Sequence, residues 1–536
     1  MEMDFIGRML LRLVDRISGP RIDRQARQAC RALAEEPIQR SRRQALGLLE
    51  SLARQPGPKV DLGETLWDEP VPVRIPLAHL VKAHAIITGG TGSGKTMAAL
   101  AVVEALLAPE ARDLSFGVLD AKGELFDRTL YLIVRRLETL PHGDAEALAR
   151  RIVIIDLAAR DPVTSYNIAS PWTGSDLDYF ATSRVDTLQE LLPSGDGFSL
   201  RGAAIVKHAL KLLAECKLPF AYFDRVLSSE PFRARLLTRS RNAGLERYFR
   251  HHFPSEGKAA VAAVRARLTS ALLSSESLRL ALSGDDAPDI RRLQDEGRIV
   301  LINCAGPNIA RATAQTLQAL FLSDIRQAVF ARKNRKPFLW VCDEAQNFFR
   351  TRHLRDNMTS LLTMSRSFGS FFVYLTQNLG AAVPDGDMIE TLYTNIRWSL
   401  TLRGTAKDAA FLRPALPVTG CRKKPRLHRY APREYYAASE ERGLLAEEIA
   451  HLPDRVGWLW LKSQSSEATG IRTRPVEIPE GAAFADRTAW IKGEAAIGKR
   501  LSRAAYEVVI ARRDAEWLDE ESLSPSETLT RSFRED

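Results

Sequence analysis

The segment GGTGSGKT, residues 89–96, places Gly89, four residues, then Gly94, Lys95 and Thr96, a spacing suited to binding phosphate oxygens. The small residues Gly89, Gly90, Thr91, Gly92, Ser93 and Gly94 let successive backbone N–H groups turn toward oxyanions, and a helix starting at Lys95 adds its dipole. Lys95 then reaches the terminal phosphates, and the Thr96 hydroxyl is placed to ligate Mg2+. Such a cradle takes a nucleotide such as ATP. A metal ligand is expected at Asp343, which ends the apolar run FLWVC, and the adjacent Glu344 can polarise water, so hydrolysis is expected over passive nucleotide binding. Gln377 ends the run SFFVYLTQ, where its amide can read the γ-phosphate or the attacking water. Eleven residues earlier, Arg366 lies near the end of the preceding helix. It either enters a neighbouring subunit's site or stays in solvent and complements the helix dipole.

Holding these side chains requires strands and helices in alternation. VKAHAIITGG reads as a strand followed by a helix from Lys95 to about residue 107; LSFGVLD ends at Asp120 before a helix over about 123–138; RIVIIDL ends near Leu157. Strand, helix, strand in this rhythm implies a parallel sheet with helices on its faces. From about 176 to 282 nearly every segment has helical periodicity, which predicts an all-α insertion. Strands resume over 297–306, 336–344, 369–377 and 395–403, so one interrupted sheet is expected to span both halves. The division is a helical region over 1–58, a first half of the α/β domain over 59–172, the insertion over 173–290, the second half over 291–480 and a helical tail over 481–536. From Asp514 onward that tail carries eight acidic and two basic residues.

A chain of 536 residues with 45% hydrophobic and 26% charged residues is long enough for real cores and excludes disorder or a fibrous rod. The formal charge of +10 suits a phosphate-rich partner without naming one. Two basic runs, Arg422, Lys423, Lys424, Arg426 and Arg429, and Arg332, Lys333, Arg335 and Lys336, either contact phosphates or are solvated loops. The five cysteines have neither zinc nor redox spacing, and a reducing cytosol fits them best. Tyr248, Phe249, His251, His252 and Phe253 read as helical core ahead of base stacking or metal binding. No long apolar window is free of charges, so no membrane-spanning helix is expected. Ile6, Met9, Leu10, Leu13 and Ile17 share one helix face, for packing on the chain's own domain, a membrane surface or a partner.

Taken together, GGTGSGKT, the strand-end motif LDAKGEL with Asp120, Lys122 and Glu124, VTSYNIASPW, the helical insertion before DEAQ, and the spacing from Arg366 to Gln377 resemble the TraD/TraG-type coupling-protein ATPases. These belong to conjugative type IV secretion, within the HerA–FtsK class of ring motors, and the resemblance covers about residues 60–480. It implies a RecA-like P-loop ATPase that uses ATP and Mg2+ and forms a homo-oligomer, a hexameric ring, that threads DNA. It also implies Lys95, Thr96, Asp343 and Glu344 in each site, Gln377 as sensor and Arg366 as a finger in trans. Relaxase or secretion-channel proteins are the implied partners. Coupling proteins usually begin with a membrane anchor, and none is expected from this sequence. The expectation is a cytoplasmic relative, reaching the inner membrane only peripherally or through a partner, and serving conjugation, mobile-element maintenance or defence. Two other readings of the same core are a ring ATPase acting on protein substrates and a nucleotide-gated scaffold.

Overall fold

The structure, a computed structural model, describes residues 39–159, 161–172, 174–189, 198–273, 275–285, 287–350, 352–377, 379, 383, 386–418, 422, 424, 434–479, 481–492 and 500–518. The chain forms two compact units. One comprises the described residues up to Arg112 together with Phe371–Glu477, the other Asp113–Ser370 with the described residues from Ile478 on.

In the first unit the wholly buried strand His84–Thr88 pairs in parallel with Ser370–Thr376 and with Ile396–Leu402. The registers set Thr88 level with Thr376 on one side and Thr401 on the other. Beyond Ile396–Leu402 the sheet continues antiparallel through Val456–Leu461, Thr469–Thr473, Lys59–Thr65 and Pro72–Pro76. This antiparallel wing is an addition to the parallel sheet expected from the alternation of strands and helices. Its outermost strands bury Val60, Leu62, Val73 and Ile75 between more exposed neighbours, as a sheet covered on one face does. Helix Lys95–Leu106, apolar on nearly every side after its first turn, is buried from Ala98 to Val103.

The second unit contains four parallel strands whose residues are all buried. Ser115–Asp120 lies between Phe338–Cys342 and Ile299–Asn303, and Ile152–Asp156 pairs on the far side of Ile299–Asn303. Continuous burial on both faces is why these segments read as unbroken apolar runs. Between Asp156 and Ile299 the chain is mainly helical, with Leu177–Leu188, Leu200–Glu215 and Lys258–Leu268 among the helices. Tyr248, Phe249 and Phe253 are core residues there, whereas His251 and His252 are exposed. The tail contains helices Ala482–Trp490 and Arg503–Leu518, but Arg500–Leu501 between them pairs antiparallel with Val163–Thr164. A two-residue strand is too short to leave a periodic signal. Helix Arg503–Leu518 closes over the insertion, its Trp517 ring lying edge-on to Phe232 at 6.0 Å and Arg513 donating to the Ser283 carbonyl at 2.8 Å. The amphipathic stretch Ile6–Ile17 and the acid-rich residues from 519 onward lie outside the described residues. No described helix is long and apolar enough to cross a membrane.

VTSYNIASPW acts as a staple within this unit. The Asn167 side-chain oxygen accepts from the N–H groups of Ala169 and Phe220, while its amide donates to the carbonyls of Leu218 and Asp285. Buried Asp324 accepts from the Tyr166 hydroxyl at 2.9 Å and the Trp172 indole N–H at 2.6 Å, and pairs with the Arg184 guanidinium at 2.8 Å. Arg184 also lies over the rings of Trp172 and Phe180, at 5.1 and 5.3 Å. Asp324→Ala leaves that guanidinium, only 1% exposed, without its counter-charge. A loss of about 3–5 kcal/mol in urea unfolding is expected, because an uncompensated buried charge costs far more than the pair gains.

Candidate functional site

The phosphate-binding loop follows directly from the register of the first unit. Since Thr88, Thr376 and Thr401 are level, Gly89 and Gln377, which follow the first two, and Arg403, two residues past Thr401, leave the sheet close together. Gly90 N–H donates to the Arg403 carbonyl at 2.6 Å, and Gly89 N–H to the Thr376 carbonyl at 3.2 Å. Gly94 has φ +101°, and a Cβ there would sit 2.9 Å from Arg455 Cγ, so both conformation and space call for glycine. Arg455 itself takes φ +64°, its N–H donating to the Ser93 carbonyl at 2.9 Å and its carbonyl accepting from Thr473 N–H at 2.7 Å. Lys95 is buried, and its Nζ donates to the Gly90 carbonyl at 2.7 Å. Gly94 caps helix Lys95–Leu106 without a side-chain hydrogen bond, which leaves first-turn N–H groups for an anion. Thr96 is half-buried in that turn. The Thr91 hydroxyl donates to Gln377 Oε1 at 3.2 Å, so Gln377 meets the loop as its position in the sequence implies.

Sequence reasoning missed Arg403 and Arg455. Arg403 holds the loop through its carbonyl, and its guanidinium pairs with Asp454 at 2.7 Å. Neither arginine belongs to a local motif. The only signal was the ladder that brings strand Ile396–Leu402 beside the loop strand.

The second unit builds an acidic centre. Leu119 pairs with Cys342, so Asp120 and Asp343 leave adjacent strands together, and Asp343 N–H donates to the Leu119 carbonyl at 3.0 Å. Asp120 is fully buried and accepts from the N–H groups of Lys122, at 2.7 Å, and Phe126, at 2.9 Å. Burial holds its pKa above the ordinary carboxylate value in spite of those bonds. Asp343 is pushed up to about 7, first by burial and then by the negative charges of Asp120 and Glu344. Glu344 has φ +50°, unusual for a non-glycine residue, and a side chain only 4% exposed. Its Oε1 is paired with the Lys122 ammonium and its Oε2 accepts from Gln346 Nε2 at 2.6 Å. A chain of amides fixes the turn after Asp343: Gln318 donates to the Asp343 carbonyl at 2.6 Å and accepts from Asn347 at 2.9 Å. Gln318 and Asn347 were also missed, being single amides outside any local pattern.

Arg366 lies in the 3₁₀ turn Ser365–Phe368 after helix Arg352–Met364, half-buried. Of the basic runs, Arg332 is no surface residue. Its side chain is fully buried and donates to the carbonyls of Phe368, Gly369 and Lys336 and to the Ser370 hydroxyl. In the other run only Arg422 and Lys424 are among the described residues, and they pair with Glu448 and Glu440.

The raised Asp343 pKa has a stability consequence. A carboxyl that titrates near 7 when folded and near 3.8 when unfolded holds its proton more tightly in the native state. Its contribution is therefore complete below about pH 4 and is lost as pH rises through about 7. In EDTA, the melting temperature of the wild type relative to Asp343→Asn is expected to fall between pH 5 and 8; a constant difference would contradict this.

Residues 60–174 match the family model described as Helicase HerA, central domain. The solved structure of the plasmid coupling protein TrwB in complex with ADP and Mg2+ aligns over 82% of this chain and 94% of its own, at 14% identity and a TM-score of 0.50. VirB4 of Thermoanaerobacter pseudethanolicus aligns over 81% of this chain and 99% of its own, at 12% identity and a TM-score of 0.48. None of the curated proteins matches the chain. Residues 60–174 are thus similar to the HerA central domain, and the chain has the RecA-like P-loop ATPase fold seen in the coupling protein TrwB.

Proposed function

We propose that this protein hydrolyses ATP with Mg2+ and uses the energy to move DNA as a homo-oligomer, a hexameric ring, in the manner of conjugative coupling proteins. The observation that carries the hydrolytic part is the uncapped helix start at Gly94, with Lys95 buried beside it. Backbone N–H groups and the Lys95 ammonium bind the phosphates, and Thr96 and Asp343 hold the ion. The residues fit that group. Burial first, and then the negative charges of Asp120 and Glu344, raise Asp343, and a divalent cation there would offset that crowded charge.

When bound, Mg2+ neutralises charge on the transferring phosphoryl group. Glu344 orients and polarises the attacking water, Gln377 reads the terminal phosphate, and Arg366 completes a neighbouring protomer's site. Support for DNA as the substrate comes from the family match over residues 60–174, the net charge of +10 and the coupling-protein fold. One observation favours a protein substrate instead. Arg332 is fully buried and Arg422 and Lys424 are ion-paired, so the basic runs offer less free charge to phosphates than their composition suggests. Phosphate release measured with and without single- and double-stranded DNA separates the two. DNA-stimulated turnover that falls steeply with salt is expected; turnover indifferent to DNA would favour the protein substrate.

Lys95→Ala is expected to abolish nucleotide binding or turnover, whereas Glu344→Gln binds ATP but loses about a hundredfold or more in kcat. Equal rates for wild type and Glu344→Gln would remove the catalytic assignment. Mixing Arg366→Ala with Lys95→Ala protein is expected to restore part of the activity, since some mixed interfaces then contain an intact site. No restoration in mixed oligomers shown by mass to have formed would place Arg366 outside the reaction.

A further inference from the structure

The mechanism above leaves one charged side chain at the acidic centre without a role. Lys122 makes an ion pair with Glu344, the residue assigned to water. The negative charges of Asp120 and Glu344 act on Asp343 there, and Lys122 opposes them. Glu344 has a left-handed backbone, and its negative charge lies beside that of Asp343. Gln346 Nε2 holds one oxygen of that carboxylate at 2.6 Å, and the Lys122 ammonium holds the other.

The place of Lys122 is itself fixed. Its N–H donates to Asp120 Oδ1 at 2.7 Å, and the chain then turns at Gly123, φ +87°, into helix Glu124–Thr139. The spacing Asp-x-Lys-Gly-Glu thus has a physical reading. Asp120 anchors the loop by its carboxylate, glycine lets the chain turn, and lysine is delivered onto the neighbouring strand's glutamate.

We propose that Lys122 is a positioning residue for hydrolysis, holding one oxygen of Glu344 so that the carboxylate faces the attacking water in a fixed orientation. This rests on the hydrolytic reading of Glu344. Lys122 acts through Glu344 and not on the nucleotide, so its loss is a loss in kcat and not in ATP affinity. A second cation of similar reach serves in its place.

The test uses the full chain carrying Lys122→Met, Lys122→Arg, Glu344→Gln and the double variant Lys122→Met with Glu344→Gln. Lys122→Met is expected to lower kcat by about tenfold or more, as loss of a supporting contact does, with KM for ATP within about twofold of wild type. Lys122→Arg recovers most of the rate. A purely structural lysine would not give that split or that rescue. In EDTA, Lys122→Met lowers the melting temperature, and adding Glu344→Gln restores it, because the charge left unpaired is then gone. A Lys122→Met kcat at the wild-type level beside an inactive Glu344→Gln overturns this inference alone. A raised KM at unchanged kcat, failure of Lys122→Arg to rescue, or melting losses that simply add does the same. Wild-type turnover in Glu344→Gln overturns the hydrolytic reading and this inference with it.

Discussion

Strand register decides what this molecule can do. In the first unit Thr88, Thr376 and Thr401 are level, so the phosphate loop, Gln377 and Arg403 leave the sheet together. In the second, Leu119 is level with Cys342, which brings Asp120 and Asp343 out of adjacent strands. Side chains at the carboxyl ends of buried parallel strands project where a ligand can meet them, and the strands are held too tightly to slip, since every residue of the four in the second unit is buried. A one-residue shift would turn each of these groups to the wrong face.

Register also concentrates like charge. Ending two neighbouring strands in aspartate, with a glutamate one residue further on, puts three carboxylates in a buried setting with Lys122 paired to one of them. Such a cluster is costly until cations offset it. The fold tolerates it through backbone N–H groups on Asp120 and Asp343 and through the Lys122 and Gln346 contacts on Glu344. The same unit carries another buried charge, Arg184, but there Asp324 pairs with it and it lies over two aromatic rings. One network ties VTSYNIASPW to the helix that carries Asp324, while the other gathers like charge at two strand ends.

The parts of the site legible in the sequence were those written locally. GGTGSGKT, the apolar run into Asp343 and Glu344, and Gln377 at its strand end each carry their meaning within about ten residues. What stayed hidden is set by pairing between distant segments. Arg403 meets Gly90 across more than three hundred residues of chain, and Gln318 reaches the Asp343 carbonyl from the middle of a helix. The wing's segments GWLWLKS and GIRTRPVEI read as closing the sheet, but their antiparallel direction is set by pairing with distant strands that a local pattern does not show. Arg332 misled because charge in a run reads as surface, whereas a guanidinium with five donors can be enclosed wherever carbonyls converge on it.

If the loop around Lys95 binds ATP together with Mg2+, its affinity must depend on the divalent ion. Isothermal titration of ATP into the wild-type chain, with Mg2+ and again with EDTA, measures this directly. Saturable binding of about one ATP per chain that weakens by about tenfold or more without Mg2+ is the expected result. Binding of equal strength in both buffers, or none in either, would contradict it.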